Sequence, residues 1–341
     1  MRAAYVGTLT PGSTSRMRAE WLRRLTPGWK WEWLDTDALV LGTSRMSQSL
    51  AYRVQRGPAV TAINDAVRTW FTDRSFDLTW VDKGVFLAPP AVSAMRRKSR
   101  RMIHYTPDTA FFANKSRYFT ETVSQYDVVV TTKSFEAGLY AERGALKSLF
   151  VTTQGYDPEI HFPRRENSQR TKCVAFVGLA EPSREILIAA LVENGIDVRL
   201  AGAGWETLVR RLRASPQFTF EGRSLFGEAY ATLYSECWVG LGLLSKRFPE
   251  LHTTRTFEIP ACGAVLATER NEETVKFFSD GEALFFRNAV DLAERLTKEF
   301  EREDSAGLEQ IAARGRARVI TDARDYPAVL SRVLQDPRAR P

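Results

Sequence analysis

The sequence predicts an α/β fold of two doubly wound halves, and three features carry that expectation. Short apolar runs alternate with helical patterns almost from end to end. A polar, proline-bearing break interrupts the alternation midway, and the alternation restarts after it. Strands joined through helices run parallel, and a parallel sheet needs both faces covered, so its strands read as nearly unbroken apolar runs. The length of 341 residues suits two domains.

The first strand is "AAYVG", followed by a Gly/Ser/Thr turn and the helix "SRMRAEWLRRL", where Met17, Trp21, Leu22 and Leu25 make one apolar face at helical spacing. "WKWEWL", "DLTWVD", "RMIHYT", "DVVVTT" and "KSLFVTT" continue as strands, most of them separated by helical patterns such as "INDAVRTWF" and "SFEAGLYAERG". "TQGYDPEIHFPRRENSQRTK", residues 153–172, reads as a linker because of its two prolines, its glycine and its polarity. "CVAFVG" then opens a second half, with "DVRLAG", "QFTFEG", "CWVGLGLL", "GAVLAT" and "EALFF" as further strands. "AVDLAERLTKEFE" and "LEQIAARGRARVI" begin a helical tail. These features divide the chain into residues 1–165, residues 166–310 and a tail, residues 311–341, that crosses back onto the first domain. Ligands of such sheets bind beyond the carboxyl ends of the strands, so two facing halves would make one interdomain cleft.

A composition of 44% hydrophobic and 26% charged residues is that of a folded protein, not a disordered one. No apolar run approaches the ~20 residues a bilayer demands, and "MRAAYVGTLTPG" reads as a first strand and its turn. Cys173, Cys237 and Cys262 lack metal-ligand spacing and sit in apolar contexts, which suits buried thiols in a reducing compartment and so a cytoplasmic protein. The net charge of +7 favours an anionic partner. Its densest cluster, "RRKSRR" at Arg96–Arg101, reads either as a solvated helix end or as a surface that docks peripherally on the anionic inner face of a membrane. Nucleic acid is disfavoured, because there is no recognition motif and no ladder of aromatics among the cations.

Candidate site residues fall at the strand ends. In "GTLTPGSTSR", Gly12 allows a tight turn and Ser13 can cap a helix whose free N–H groups suit an anion or sugar hydroxyls; a purely structural turn is the other reading. The spaced three-glycine dinucleotide fingerprint is missing. Asp35 and Asp37 have the spacing of a divalent-ion clamp, but at a strand end they read as turn residues, and no metal site is expected. In "VDKG" and "HYTPD", Lys83, His104 and Asp108 stand where a cleft would open. His104 reads better as a hydrogen-bonded strand-end histidine than as a base, whereas Asp108 is placed to orient an acceptor hydroxyl. In the second half, Gly178, Gly202 and Gly204 follow strands and would let backbone approach a nucleotide, Arg184 can reach a phosphate, and "EGRSLFGEAY", with Arg223 and Tyr230, can cradle a base.

The most specific signal is "PELHTTRTFEIPACGAVLATE". It predicts a short helix over Thr256–Cys262, stopped by Gly263 and followed by a buried strand. Thr253 and Thr254 precede the helix start, Arg255 adds a charge-assisted donor beside it, and Glu258 in its first turn can hold a ribose diol. Glu250 stands eight positions before Glu258.

"HTTRTFEIPACGAVLATERNEETVKFF" resembles the donor-side signature of group-1 glycosyltransferases of the GT-B fold, two facing Rossmann-like domains. The likeness is to the spore-maturation-protein-like branch, whose Arg-any-Phe-Glu-any-any-Ala-Cys-Gly core reads here from Arg255 to Gly263. "QGYDPEIHFP" resembles the family's hinge, and "HYTPD" one of its first-domain strands.

The resemblance implies transfer from a nucleotide-sugar bound by the second domain to an acceptor bound by the first, with Glu258 on the ribose. Glu250 would match the first member of the family's Glu-seven-Glu pair, although "LHTTRTF" replaces the family's glycine-rich run. Thr254 and Arg255, helped by Lys246 or Arg184, would then carry the diphosphate. Related enzymes retain anomeric configuration without a clear protein nucleophile, and neither metal nor cofactor is expected. A silent nucleotide- or sugar-binding module, and an epimerase or phosphorylase on the same scaffold, are the alternatives.

Overall fold

The computed structural model describes all 341 residues and divides into two compact units, one of Met1–Thr153 with Tyr326–Pro341 and the other of Gln154–Asp325. In chain order the first unit contains β1 (Arg2–Gly7), α1 (Thr14–Leu25), β2 (Lys30–Asp35), α2 (Thr36–Leu41), α3 (Arg45–Val54), α4 (Pro58–Trp70) and β3 (Phe76–Asp82). It continues with α5 (Pro89–Arg97), β4 (Ser99–Thr106), α6 (Arg117–Thr122), β5 (Val128–Thr131), α7 (Ala137–Glu142) and β6 (Leu149–Val151). The sheet runs β2-β1-β3-β4-β5-β6, all parallel. The order reverses between β1 and β3, the switch point beyond which such sheets bind ligands. Val6, Val81 and Met102 pack one face against Ile63 and Val67 of α4 and Val92 of α5.

The second unit contains β7 (Thr171–Val177), α8 (Pro182–Glu193), β8 (Val198–Ala201), α9 (Glu206–Leu212), β9 (Phe218–Gly222), α10 (Gly227–Glu236) and β10 (Cys237–Leu241). It ends with α11 (Arg255–Ala261), β11 (Val265–Glu269), α12 (Thr274–Phe277), β12 (Leu284–Phe286), α13 (Ala289–Phe300) and α14 (Ala306–Thr321). The parallel sheet is ordered β12-β11-β10-β7-β8-β9, with its switch point between β7 and β10. Alternate residues of β7 serve opposite faces: Val174 and Phe176 enter the core under α8, α9 and α13, whereas Ala175 and Val177 enter the core with Tyr234, Phe257 and Val319.

The division differs from the boundaries read in the sequence. Residues 154–170, read as linker, belong to the second unit, where Tyr156 pairs with Asp325 and His161 is buried. Of the tail, only α15 (Tyr326–Gln335) and the residues after it join the first unit, where α15 packs on α1. Helix α14 stays behind on α11 and β11, and its Gly315 lets it close against the turn before β12, since a Cβ there would lie 2.4 Å from the Glu282 carbonyl oxygen. No helix is long and apolar enough to cross a membrane.

Candidate functional site

The distinctive chemistry of the second unit gathers at the β7/β10 switch point. Arg255, the first residue of α11, donates through Nη1 to the Val177 carbonyl at 3.2 Å and through Nη2 to the Leu243 carbonyl at 3.1 Å, so its guanidinium spans the ends of both strands. Arg184, on α8, reaches the same place from the other side, with Nη2 3.4 Å from Leu243 O and Nη1 3.0 Å from Leu179 O. Both guanidinium groups lie over the fully buried Phe176 ring, at 5.7 and 5.3 Å from its centroid. Burial, and then the neighbouring charge of Arg255, push Arg184 down to about 10.

The carboxylates nearby engage Arg184 and the loop after β10 and form no ion pair with Arg255. Glu181 sits 3.3 Å from Arg184 Nη1 and also accepts from Ser245 Oγ and the Lys246 N–H. Glu250 accepts from the Ser245 N–H at 2.9 Å, which ties down the loop after β10. Arg184 feels the charges of Arg255 and Arg247, which lower it, and of Glu181 and Glu250, which raise it. Arg255 itself is in no ion pair; carbonyl dipoles orient its charge without neutralising it.

Glu258 lies one helical turn after Arg255, on the same face. It is buried, and its Oε2 accepts from the Tyr230 hydroxyl at 2.6 Å. Burial and then the Glu258 charge raise the Tyr230 pKa well above its ordinary value, so the phenol stays protonated and donates. Glu258 Oε1 faces His161 Nε2 at 3.7 Å, and that ring is held at Nδ1 by the backbone of Asp157. The sequence reading did not single out His161, Glu181, Ser245 or Arg247.

Other expected residues are placed differently. The helix runs Arg255–Ala261, one residue earlier than predicted, and with seven residues and Pro260 inside it offers little macrodipole. The Thr253 N–H bonds Thr256 Oγ1, and the Thr254 carbonyl accepts from Phe257 and Glu258. Lys246 pairs with Glu269, and the exposed Arg223 pairs with Glu206 at 3.0 Å. The glycines answer first to packing: a Cβ on Gly202 (φ 138°) would fall 1.8 Å from Gly178 O, and one on Gly178 would meet the Phe176 ring at 2.8 Å. Gly204 (φ 87°) closes the same turn against Ala180.

In the first unit the switch point is closed by an ion pair. Arg18 grips Asp82 in a two-pronged fork at 2.8 and 2.9 Å, with both side chains fully buried, and its guanidinium stacks over Tyr105 and Tyr326. Beside it is a cavity of about 290 Å³ lined by Thr8, Asp37, Tyr52, Gln55, Lys83 and Asn114 above apolar side chains such as Ile63 and Leu87. Lys83, in the left-handed region at φ 65°, places Nζ 2.6 Å from Asp108, which also accepts from Asn114. Although burial alone raises the Asp108 carboxyl, Lys83 brings it down to about 2.

His104 is not at a cleft wall. It is buried, its Nε2 lies 2.9 Å from the Lys83 carbonyl oxygen, it stacks on Phe119 at 4.2 Å, and burial lowers it to about 4, so it is a neutral core residue. Ser13 caps α1 by accepting from the Arg16 N–H, and Gly12 (φ 79°) turns the chain into it. Asp35 caps α2 and Asp37 accepts from Thr10, the turn roles expected of them. No group of three or more His, Cys, Asp or Glu is arranged to hold a metal ion. Within Arg96–Arg101, Arg96 and Arg101 are committed to Asp127, and Arg100 approaches Asp77 at 3.7 Å, so the cluster is partly neutralised.

Comparison with known proteins matches this architecture. Residues 183–334 fit the family model described as glycosyl transferase-like. No curated protein sequence matches the chain. Among solved structures, Anabaena HepE in complex with UDP and glucose is similar over 98% of both chains, with 14% identity and a TM-score of 0.66. The sucrose-phosphate synthase of Thermosynechococcus elongatus is similar over 98% of both chains, with 12% identity and a TM-score of 0.67. A glycosyltransferase from Rickettsia africae is similar over 98% of this chain and 97% of its own, with 11% identity and a TM-score of 0.64. At these identities the structural likeness defines the fold, and that fold is GT-B. Residues 183–334 therefore carry a glycosyl transferase-like domain on a chain of GT-B fold.

Proposed function

We propose that the protein is a glycosyltransferase of the group-1 superfamily that takes a sugar from a nucleotide-sugar, a uridine diphosphate sugar in the first instance, and delivers it to an acceptor hydroxyl in glycan or glycoconjugate synthesis. The observation that carries the reading is the pair of arginines at the β7/β10 switch point, which share the Leu243 carbonyl and of which Arg255 is in no ion pair. A diphosphate seated there supplies the missing negative charge, and the same cations stabilise it as it departs. That HepE was crystallised with UDP and with UDP-glucose supports the choice of nucleotide.

In this reading Glu258 holds the ribose diol through Oε1 while Tyr230 keeps the other oxygen, and Glu250 keeps the loop of Ser245 and Lys246 beside the diphosphate. Gly178, Gly202 and Gly204 keep the turns under the nucleotide low, and Arg223 and Tyr230 flank the base. Thr253 and Thr254 line the start of α11. The acceptor binds the first unit in the cavity beside Lys83, with Asp108 fixing the lysine. Transfer proceeds with retention, by positioning and leaving-group stabilisation and without metal or cofactor. The core from Arg255 to Gly263 supports the spore-maturation-protein-like branch. A cytoplasmic protein peripheral to an anionic membrane fits the net charge of +7.

Calorimetric titration with UDP, GDP and dTDP tests the donor: UDP binds in the micromolar range, whereas three null titrations overturn the reading. Release of UDP from UDP-glucose with an acceptor present separates an enzyme from a silent binding module. The anomeric proton of the product, read by NMR, reports retention or inversion.

A further inference from the structure

Helix α3 is unusual among the helices of the first unit in what it shows to solvent. Met46, Leu50 and Val54, at i, i+4 and i+8, form one stripe along it and are 85%, 43% and 52% exposed. Leu41, the last residue of α2, is 61% exposed, and its carbonyl accepts from Gln48 of α3, which joins it to the same surface. The helix is anchored from its other side: Ser47 and Ala51 are buried, and Ser47 Oγ accepts from the Ala59 N–H at the start of α4. The stripe is therefore not a frayed end of the core but an apolar face held outward by a fixed one.

The charges on the helix and in the loop after it are cationic, with Asp37 the carboxylate that reaches Tyr52 on its cavity side. From Ala38 to Asn64 the chain has no carboxylate and three arginines. Arg45, Arg53 and Arg56 are all exposed and in no ion pair, and on the helical wheel Arg53 falls beside Met46 and Leu50. An apolar stripe with three exposed, unpaired guanidinium groups beside it matches the interface of an anionic bilayer, with acyl chains for the apolar side chains and phosphate headgroups for the guanidinium groups. A second copy of this surface would set arginines against arginines.

We propose that the α3 stripe of Met46, Leu50 and Val54, with Arg45, Arg53 and Arg56, is a docking surface for an anionic lipid bilayer. It is distinct from Arg96–Arg101, where carboxylates already absorb much of the charge. Tyr52 and Gln55 flank the stripe and line the cavity beside Lys83, so docking sets that cavity next to the headgroups. The docking reading stands apart from the proposed chemistry, because its test has no catalytic readout.

The test is co-sedimentation of the full chain with vesicles of phosphatidylcholine containing about a third phosphatidylglycerol. Wild type sediments with these vesicles, weakly with pure phosphatidylcholine, and less as salt rises. The double variant Met46→Glu/Val54→Glu, and separately Arg45→Ser/Arg53→Ser/Arg56→Ser, each lower partitioning by at least about tenfold. Both keep the wild-type melting temperature, since every substituted side chain is exposed. Arg97→Ser/Arg100→Ser leaves partitioning within about twofold of wild type. Absence of wild-type binding to the anionic vesicles overturns the proposal, as do equal binding by the α3 variants or a dimer that Met46→Glu/Val54→Glu dissociates.

Discussion

The two sheets place arginine at the same topological point and use it differently. At the β1/β3 switch of the first unit, Arg18 is fully buried and meets both oxygens of Asp82, so the charge is neutralised within the protein. At the β7/β10 switch of the second, Arg184 and Arg255 share a backbone carbonyl; Arg184 also meets Glu181, whereas Arg255 has carbonyls alone as partners. A closed ion pair in low dielectric is a structural joint, whereas a cation such as Arg255, oriented only by carbonyl dipoles, keeps its affinity for an external anion. The partner of an arginine, more than its place in the fold, therefore separates Arg18 from Arg255.

The sharpest way to break the contrast is Asp82→Ala. It leaves Arg18 charged, buried and unpaired, and should lower unfolding free energy by about 3–5 kcal/mol, whereas replacing both partners by well-packed apolar residues should cost far less. Urea titration checks both. Equal losses in single and double variants would show that the joint is not electrostatic.

His104 extends the comparison to pH. Its folded pKa of about 4 lies below the ~6.5 of an unfolded imidazole, so below neutrality the unfolded chain binds the extra proton. Its contribution is fully present above pH ~6.5 and is lost at ~1.4 kcal/mol per pH unit as pH falls towards the folded value. His104→Phe, which preserves the stack on Phe119, should flatten that part of the profile.

The smallest of these effects concerns the second switch point. Arg255→Ser should weaken UDP binding by about 1.5–3 kcal/mol, the range of charged hydrogen bonds. Arg255→Lys should recover only part of this, because an ammonium cannot span Val177 O and Leu243 O as a fork does. Full recovery by lysine would mean that net charge, not the oriented guanidinium, matters.

The strands were the most legible part of the sequence, for a physical reason. "CVAFVG" and "CWVGLGLL" are apolar on both faces because β7 and β10 are covered on both faces, and so they stand out from polar surroundings. Helices α2 and α3 went unrecognised because the apolar residues of α3 point outward and give no core-facing period. Arg255 and Glu258 stood out through the motif around α11, and Arg184 through the strand-to-helix turn after β7. Glu181 was not, since it meets Ser245 across 64 residues, and His161 faces a glutamate far along the chain; no local spacing encodes either contact. The glycines after β7 and β8 looked like nucleotide contacts because a ligand and a neighbouring turn exclude a Cβ alike.

The placement of α15 bears on the order of synthesis. A ribosome delivers the first six strands early, but Tyr326 and Val329, which cover α1, arrive only after the whole second unit has emerged. Until then the surface around Arg18 lacks its cover, so the earliest-made unit is the last to be completed. At the end of that interval the second unit, continuous from Gln154 to Asp325, has every residue it needs to fold before its neighbour is complete.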